Sequence, residues 1–183
     1  MDIAEAQHDL RRAYVGGGPG VFVSSLVWFS SGFVERVRGP VTGFTVLFFG
    51  GMLIFPLATL ISRFVFQRGK AAADNSLGAT ALESTVAMIG GLIAAWLFLR
   101  LRPDFVFPLS AIAVGTHYAV FRSVYGDRLF LFLAAAITCV GLLGIFAAAV
   151  IGRTVIFDVA LIELVFALIL TFRAVRTPGS VKP

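Results

Sequence analysis

The sequence is poor in the residues that metal and redox sites require. Cys139 is its one cysteine, and His8 and His117 are its two histidines. A lone cysteine excludes an internal disulfide, a CxxC redox centre and a cysteine metal cluster, and two histidines are too few for a histidine-rich metal site. Lysine occurs only at Lys70 and Lys182, outside the long apolar runs, so a Schiff base inside them is excluded. We expect no metal, no cofactor and no catalytic nucleophile set.

Charged residues are also scarce. They make up 14% of the 183 residues and apolar residues 58%, whereas a soluble domain has about 25% and about 45–50%. This composition, with a mean hydropathy of +0.94, excludes a disordered chain, a coiled coil and an ordinary cytosolic enzyme, and indicates an integral membrane protein. The net charge is +5, but the basic residues are scattered. We therefore expect them to contact membrane lipids and not nucleic acid.

Continuous apolar runs predict an all-α bundle of membrane-spanning helices, because about 20 apolar residues cross a bilayer and a helix satisfies its own backbone in lipid. The apolar positions Ile3, Ala6, Leu10 and Tyr14 have helical spacing and predict a short amphipathic interfacial helix over residues 2–14. A single transmembrane domain then accounts for residues 1–183. The six predicted spans cover residues 13–34, 41–62, 77–99, 105–121, 129–151 and 154–172.

The distribution of basic residues predicts the orientation. Most of the 15 Lys and Arg residues fall on the side of the N-terminus if the spans alternate, which favours a cell inner-membrane protein with both termini cytoplasmic. The residues on that side are Arg11, Arg12, Arg63, Arg68, Lys70, Arg122, Arg128, Arg173, Arg176 and Lys182. The residues on the other side are Arg36, Arg38, Arg100, Arg102 and Arg153.

Glycine and proline mark two breaks. The segment at residues 16–20, Gly-Gly-Gly-Pro-Gly, is expected to separate the interfacial helix from the first span, with Pro19 in its first turn. Gly50, Gly51 and Pro56 interrupt the second span. They predict either a kinked, closely packed helix or a broken helix that lines a ligand site.

Small residues line one face of the third span and one face of the fifth. Such faces let helix backbones approach closely in a membrane, so we expect helix interfaces within the bundle or between the two copies of a homodimer. The faces comprise Ala79, Glu83, Ala87, Gly90 and Ala94 in the third span, and Ala134, Thr138, Gly141, Ile145 and Ala148 in the fifth.

Four ionisable residues fall inside the apolar runs, namely Glu83, His117, Asp158 and Glu163. Each would cost several kcal/mol if it faced lipid. Glu83 lies on the small-residue face of its span, so we expect its carboxylate to point into the bundle. Glu83 and His117 lie at similar depths, so a pair between them is geometrically allowed. Asp158 is expected near the membrane surface, within reach of Arg153 or Arg100.

Glu163 is expected near the midplane. If their helices are neighbours of this span, the side chains that would reach it are Ser24, Ser25, Thr138 or Cys139. At the end of the fourth span, Tyr118 and Arg122 share one helical face, and they act either as interfacial anchors or as the wall of a polar pocket with Glu83 and His117. The candidate ligand-binding residues are Glu83, His117, Tyr118, Arg122, Glu163, Ser24 and Trp28.

Several short strings resemble a small family of uncharacterised bacterial multi-span membrane proteins. The similarity covers most of the first four spans and is weaker beyond Tyr125. It implies a bacterial inner-membrane protein in which Trp28, Pro56 and Glu83 belong to the shared pattern, and it implies no activity. The strings are Gly-Gly-Pro-Gly at 17–20, Ser-Leu-Val-Trp at 25–28, Phe-Phe-Gly-Gly-Met at 48–52, Pro-Leu at 56–57, Leu-Gly at 77–78 and Ala-Leu-Glu-Ser-Thr at 81–85.

Three classes of function compete. Interior carboxylates and a broken second helix favour a protein that binds or transports a small or amphiphilic molecule. A structural or assembly subunit would need only the packing faces. An intramembrane enzyme would use Glu83 and His117 as acid and base, but the sequence offers no nucleophile arrangement to accompany them.

Overall fold

The computed structural model describes residues 1–152 and 154–176. All regular elements in these ranges are helices, which confirms the predicted all-α class. Arg153 and Lys182, used above to predict orientation, lie outside the described residues. The helices are α1 (Ile3–Ala13), α2 (Gly18–Arg38), α3 (Pro40–Gly51), α4 (Ile54–Leu60), α5 (Ser76–Leu97), α6 (Val106–Tyr125), α7 (Leu129–Phe146), α8 (Ala148–Ile151) and α9 (Val155–Arg176).

Five of these helices are long and apolar enough to cross a membrane, by length and composition: α2, α5, α6, α7 and α9. The second predicted span is a bent pair, with α3 meeting α4 and its π-helical extension to Val65 at 47°. The break at Met52 and Leu53 directly follows Gly50 and Gly51. Pro56 lies in the first turn of α4, where its missing N–H leaves no intrahelical bond unmade.

Several helices end at positions that differ from the predicted limits. Helix α2 continues to Arg38 and α6 to Tyr125, whereas α7 stops at Phe146 and a separate short turn, α8, follows. Hydropathy marks the part of a helix that suits the hydrocarbon, and a helix with polar residues continues into the interface. Helices α2 and α6 therefore extend beyond the predicted spans where charged side chains follow the apolar run.

Helices α2, α6, α7 and α9 form the centre of the bundle. Helix α2 packs on α9 and α3, α6 packs on α7 and α5, and α9 also contacts α6 and α7. The fully buried side chains include Trp28, Phe130, Leu133, Ile137 and Val159. Helix α5 is peripheral, since 17% of its span is buried against 33–56% for the other four long helices.

Helix α1 closes one end of the bundle, here called the α1 end. Asp2 caps the helix, accepting from the Glu5 amide at 2.8 Å, and Glu5 accepts in return from the Asp2 amide at 3.0 Å. The predicted apolar face is buried at Ala6 and Leu10 but packs on the bundle itself, while Ile3 is 72% exposed. A turn with Gly17 at φ 82° then directs the chain into α2, as the glycine-rich segment predicts.

Candidate functional site

Among the described residues, the bundle encloses one acidic side chain, Glu163 of α9, which is 0% exposed. Its Oε1 accepts a hydrogen bond from the Ser24 hydroxyl of α2 at 2.9 Å and another from the Tyr118 hydroxyl of α6 at 2.9 Å. Its Oε2 is buried and has no hydrogen-bond partner among the described residues. Three helices that are distant in sequence thus meet at one carboxyl group.

The surroundings of this group are closely packed. Ser24 and Tyr118 are each 4% exposed, and Trp28, one turn after Ser24, is 1% exposed. The reach from Glu163 to Ser24 is therefore predicted correctly. Of the other side chains named for that role, Ser25 donates instead to the Phe22 carbonyl oxygen at 2.8 Å, and Cys139 is exposed. A carboxylate with a free oxygen in such an interior is unfavourable unless a proton or a cation accompanies it.

The expectation for Glu83 is wrong. Its side chain is exposed, as are Ala79, Ala87, Gly90 and Ala94 on the same face of α5. Nor do the described residues offer it an ion pair within 4.0 Å. The face of α5 that packs on the bundle is shifted by one residue from the face predicted from the sequence. A Cβ on Gly91 would lie 2.7 Å from the Cβ of Ala113 in α6, whereas a Cβ on Gly90 would meet nothing within 4 Å.

The partner of His117 on α5 is consequently Ser84, not Glu83. The Ser84 hydroxyl lies 2.8 Å from His117 Nδ1. A serine hydroxyl both donates and accepts, so this pair suits either tautomer of the ring. The Glu83–His117 acid–base pair that an enzyme would use is not formed.

The predicted pocket of Glu83, His117, Tyr118 and Arg122 is likewise not formed. Tyr118 points into the bundle and bonds to Glu163, whereas Arg122 and Glu83 are both exposed. His117 and Tyr118 are consecutive residues on α6, about 100° apart around the helix, so they serve different neighbours. The residues predicted as one site therefore divide between the interior and the surface.

The small-residue face of α7 is an interface within the chain, unlike that of α5. Ala134 and Gly141 are buried against α6, and Ala148 is exposed beyond the end of α7. At the start of α9, Asp158 accepts from the Thr154 hydroxyl at 2.7 Å. Arg153, one of the two arginines that we expected near Asp158, lies outside the described residues, and within those residues Asp158 makes no ion pair with Arg100.

The contacts that hold α1 in place were not predicted from the sequence. Asp9 accepts from the Ala72 amide at 2.8 Å and from Asn75 Nδ2 at 3.1 Å, and it pairs with Arg12 at 3.0 Å. Burial acts to raise the pKa of Asp9, but these bonds outweigh it and hold the pKa below its ordinary value. The one sequence feature that points toward these contacts is Asn75, because asparagine favours the N-cap position, which it occupies in α5.

Two grooves of the described residues lie at the α1 end, and Glu163 lines neither. The smaller, of about 170 Å³, is lined by Tyr14, Thr59, Arg63 and Lys70, among others. The larger, of about 590 Å³, lies where α1, the α6–α7 turn and α9 meet. Over residues 1–152 and 154–176, no three His, Cys, Asp or Glu side chains are grouped to hold a metal ion.

The long apolar helices, arranged around a buried carboxyl group, place this protein in the class of polytopic helical membrane proteins. A family profile matches residues 3–173, which is most of the chain. The protein belongs to this family, described as a family of unknown function (DUF7010), which confirms the resemblance at the level of a family without an assigned function. No curated protein and no solved structure matches the chain.

Proposed function

We propose that the protein binds a small cation, the proton being the smallest, at Glu163 inside the bundle and exchanges it across the membrane. The observation that carries the proposal is the unpartnered Oε2 of a fully buried carboxyl group. Ionisable residues inside membrane helices commonly belong to ion pathways or proton relays, because the energetic penalty of burying them is high.

The geometry favours a small ligand over an amphiphilic one. Ser24 and Tyr118 occupy one side of the carboxyl group through Oε1, and both grooves described above lie away from Glu163. A proton needs no cavity, and a monovalent ion needs only a few oxygen atoms. The two hydroxyl oxygens beside the carboxylate would supply such atoms after rotation.

Proteoliposomes test this proposal. A pH-sensitive dye inside the vesicles reports proton flux after an imposed pH gradient, in media containing sodium, potassium or choline. We expect protein-dependent flux that falls at least tenfold in Glu163→Gln, a variant that keeps the shape of the side chain and removes its charge. A dependence on sodium or potassium would identify the coupled cation.

Asp158→Asn is the matched control, because it removes a carboxylate from the same helix at a local bond with Thr154. It should leave the flux unchanged. Equal flux in wild type and Glu163→Gln, or flux no higher than in empty vesicles, would contradict the proposal. Thermal melting of both variants shows whether each remains folded.

A second candidate function, assembly with a second copy, is favoured by the exposed face of α5. This face combines small residues with Glu83, a carboxyl group that lipid solvates poorly. We propose that two copies pack through α5 about a two-fold axis, which would bring the two Glu83 side chains close together and away from lipid. Small residues would permit close approach of the two helices.

Native mass spectrometry and cross-linking in nanodiscs test self-association. Ala87→Leu enlarges the centre of the α5 face and should shift the dimer to monomer. Ala135→Leu enlarges an exposed position on α7 and should leave the dimer intact. A monomeric wild-type protein in nanodiscs would refute this candidate.

The orientation remains our proposal as well, with both termini at the cytoplasmic side of an inner membrane. In a Cys139→Ala background, a cysteine at Gly69 should be labelled from the cytoplasm. A cysteine at Gly39, at the other end of the bundle, should be labelled from the opposite side. Reversed labelling would overturn the orientation.

A further inference from the structure

The larger groove at the α1 end carries a concentration of arginine. Its lining includes Arg11 of α1, Arg128 of the turn before α7 and Arg173 of α9. Its acidic lining residue is Asp127, so its formal charge is positive. Three arginines from separate parts of the chain therefore converge on one opening.

The three arginine side chains differ in the contacts that they make. An Arg11 Nη1 group donates to the Tyr125 carbonyl oxygen, and Arg173 pairs with Asp127 at 3.1 Å. Arg128 is exposed, and no ion pair or hydrogen bond of its side chain occurs in the described ranges. The Asp127 carboxylate also accepts from the Leu129 amide at 2.9 Å, which fixes it at the start of α7. Arg128 is thus free to bind an anion, with Arg11 and Arg173 held beside it.

The groove is polar at its rim and apolar along α7. Leu129 and Phe132 belong to its lining, and Phe132 is 65% exposed. These two residues lie about one turn apart, on a helix long and apolar enough to span a membrane. Arg128 and Arg173 lie at the ends of the spanning helices α7 and α9, the level at which lipid phosphates lie.

We propose that this groove binds an anionic phospholipid, with the phosphate on Arg128 and its neighbours and an acyl chain against Phe132. Guanidinium groups match phosphate oxygens in charge and geometry. A positive groove favours a headgroup with net negative charge over a zwitterionic one, in which the phosphate is already balanced. The apolar wall distinguishes a lipid from free phosphate.

Native mass spectrometry of the protein released from nanodiscs tests this site. Nanodiscs contain equal amounts of phosphatidylglycerol and phosphatidylcholine. We expect retained lipid to be phosphatidylglycerol in at least threefold excess, and Arg128→Gln to remove most of that excess. Arg128 supports no other described side chain, so this variant should melt like wild type.

Arg100→Gln is the matched control, because Arg100 is exposed at the opposite end of the bundle. It should leave the lipid preference unchanged. Equal loss in both variants would indicate general attraction to anionic lipid and would overturn the site. Displacement of the lipid by millimolar inorganic phosphate would also overturn it, since the groove would then be a free-phosphate site.

Discussion

Substitution of Gly141 tests the packing of α7 on α6. A Cβ on Gly141 would lie 2.7 Å from the Pro108 carbonyl oxygen and 3.1 Å from the Ile112 backbone nitrogen. Both atoms belong to the α6 backbone, so no side-chain rotation relieves the clash and the helices must separate. Overpacking of this kind costs about 1–3 kcal/mol. At about 2–4 °C per kcal/mol for a chain of this size, Gly141→Ala should lower the melting temperature by roughly 2–12 °C.

Gly90→Ala is the control for that measurement. It makes the same chemical change in the middle of a spanning helix, where a new Cβ would meet nothing within 4 Å. The helix-propensity gain of alanine over glycine is common to both variants, so their difference isolates the clash. Melting is followed by circular dichroism in a mild detergent, at a protein concentration at which the protein is monomeric, so that Gly90 is not part of an interface between copies. If Gly141→Ala melts within about 1 °C of Gly90→Ala, the close approach of α6 and α7 is refuted.

Three further predictions concern single polar contacts. Hydrogen bonding lowers the pKa of Asp9 in the folded protein, so its stabilisation of α1 is present above the unfolded pKa of about 3.9 and is lost as pH falls through the lower folded value. The rate of hydrogen exchange in α1 should therefore rise as pH falls through that folded value. Asp9→Asn should show fast exchange in α1 already at pH 7. Ser31→Ala removes a buried 2.8 Å bond from α2 to an α3 carbonyl and should cost about 0.6–1.7 kcal/mol, measured by thermal melting. Ser24→Ala and Tyr118→Phe remove donors to the same Glu163 oxygen, so their losses in a double-mutant cycle should be non-additive by at least about 0.5 kcal/mol.

The interior site was only half predictable. Ser24 was one of four side chains expected to reach Glu163 if their helices are neighbours, because a carboxyl group near the midplane of a membrane needs polar partners. Tyr118 was expected to be either an interfacial anchor or part of the wall of a polar pocket, because it lies near the end of a predicted span. Helix α6 in fact continues to Tyr125, which places Tyr118 well inside the helix and lets it reach Glu163.

The α5 face shows why the remaining assignments failed. Ala79, Glu83, Ala87, Gly90 and Ala94 follow helical spacing as well as any packing face does, yet all are exposed. Small residues are tolerated both at an interface and against lipid, so their spacing does not specify which face points inward. The residue of α5 that does face the bundle and bonds to His117 is Ser84, one residue after Glu83.

The sequence by itself determined the all-α class, the approximate positions of the long apolar helices, and the breaks at Gly17 and Gly51. These properties depend on one segment at a time, through its transfer to lipid and its local backbone preferences. Only the tertiary structure decided which helices are neighbours and how far each is rotated about its axis. Consecutive side chains of a helix point about 100° apart. A difference of one residue in the rotation of α5 therefore decides whether Glu83 lies on the surface or in the bundle interior, where Glu163 is enclosed.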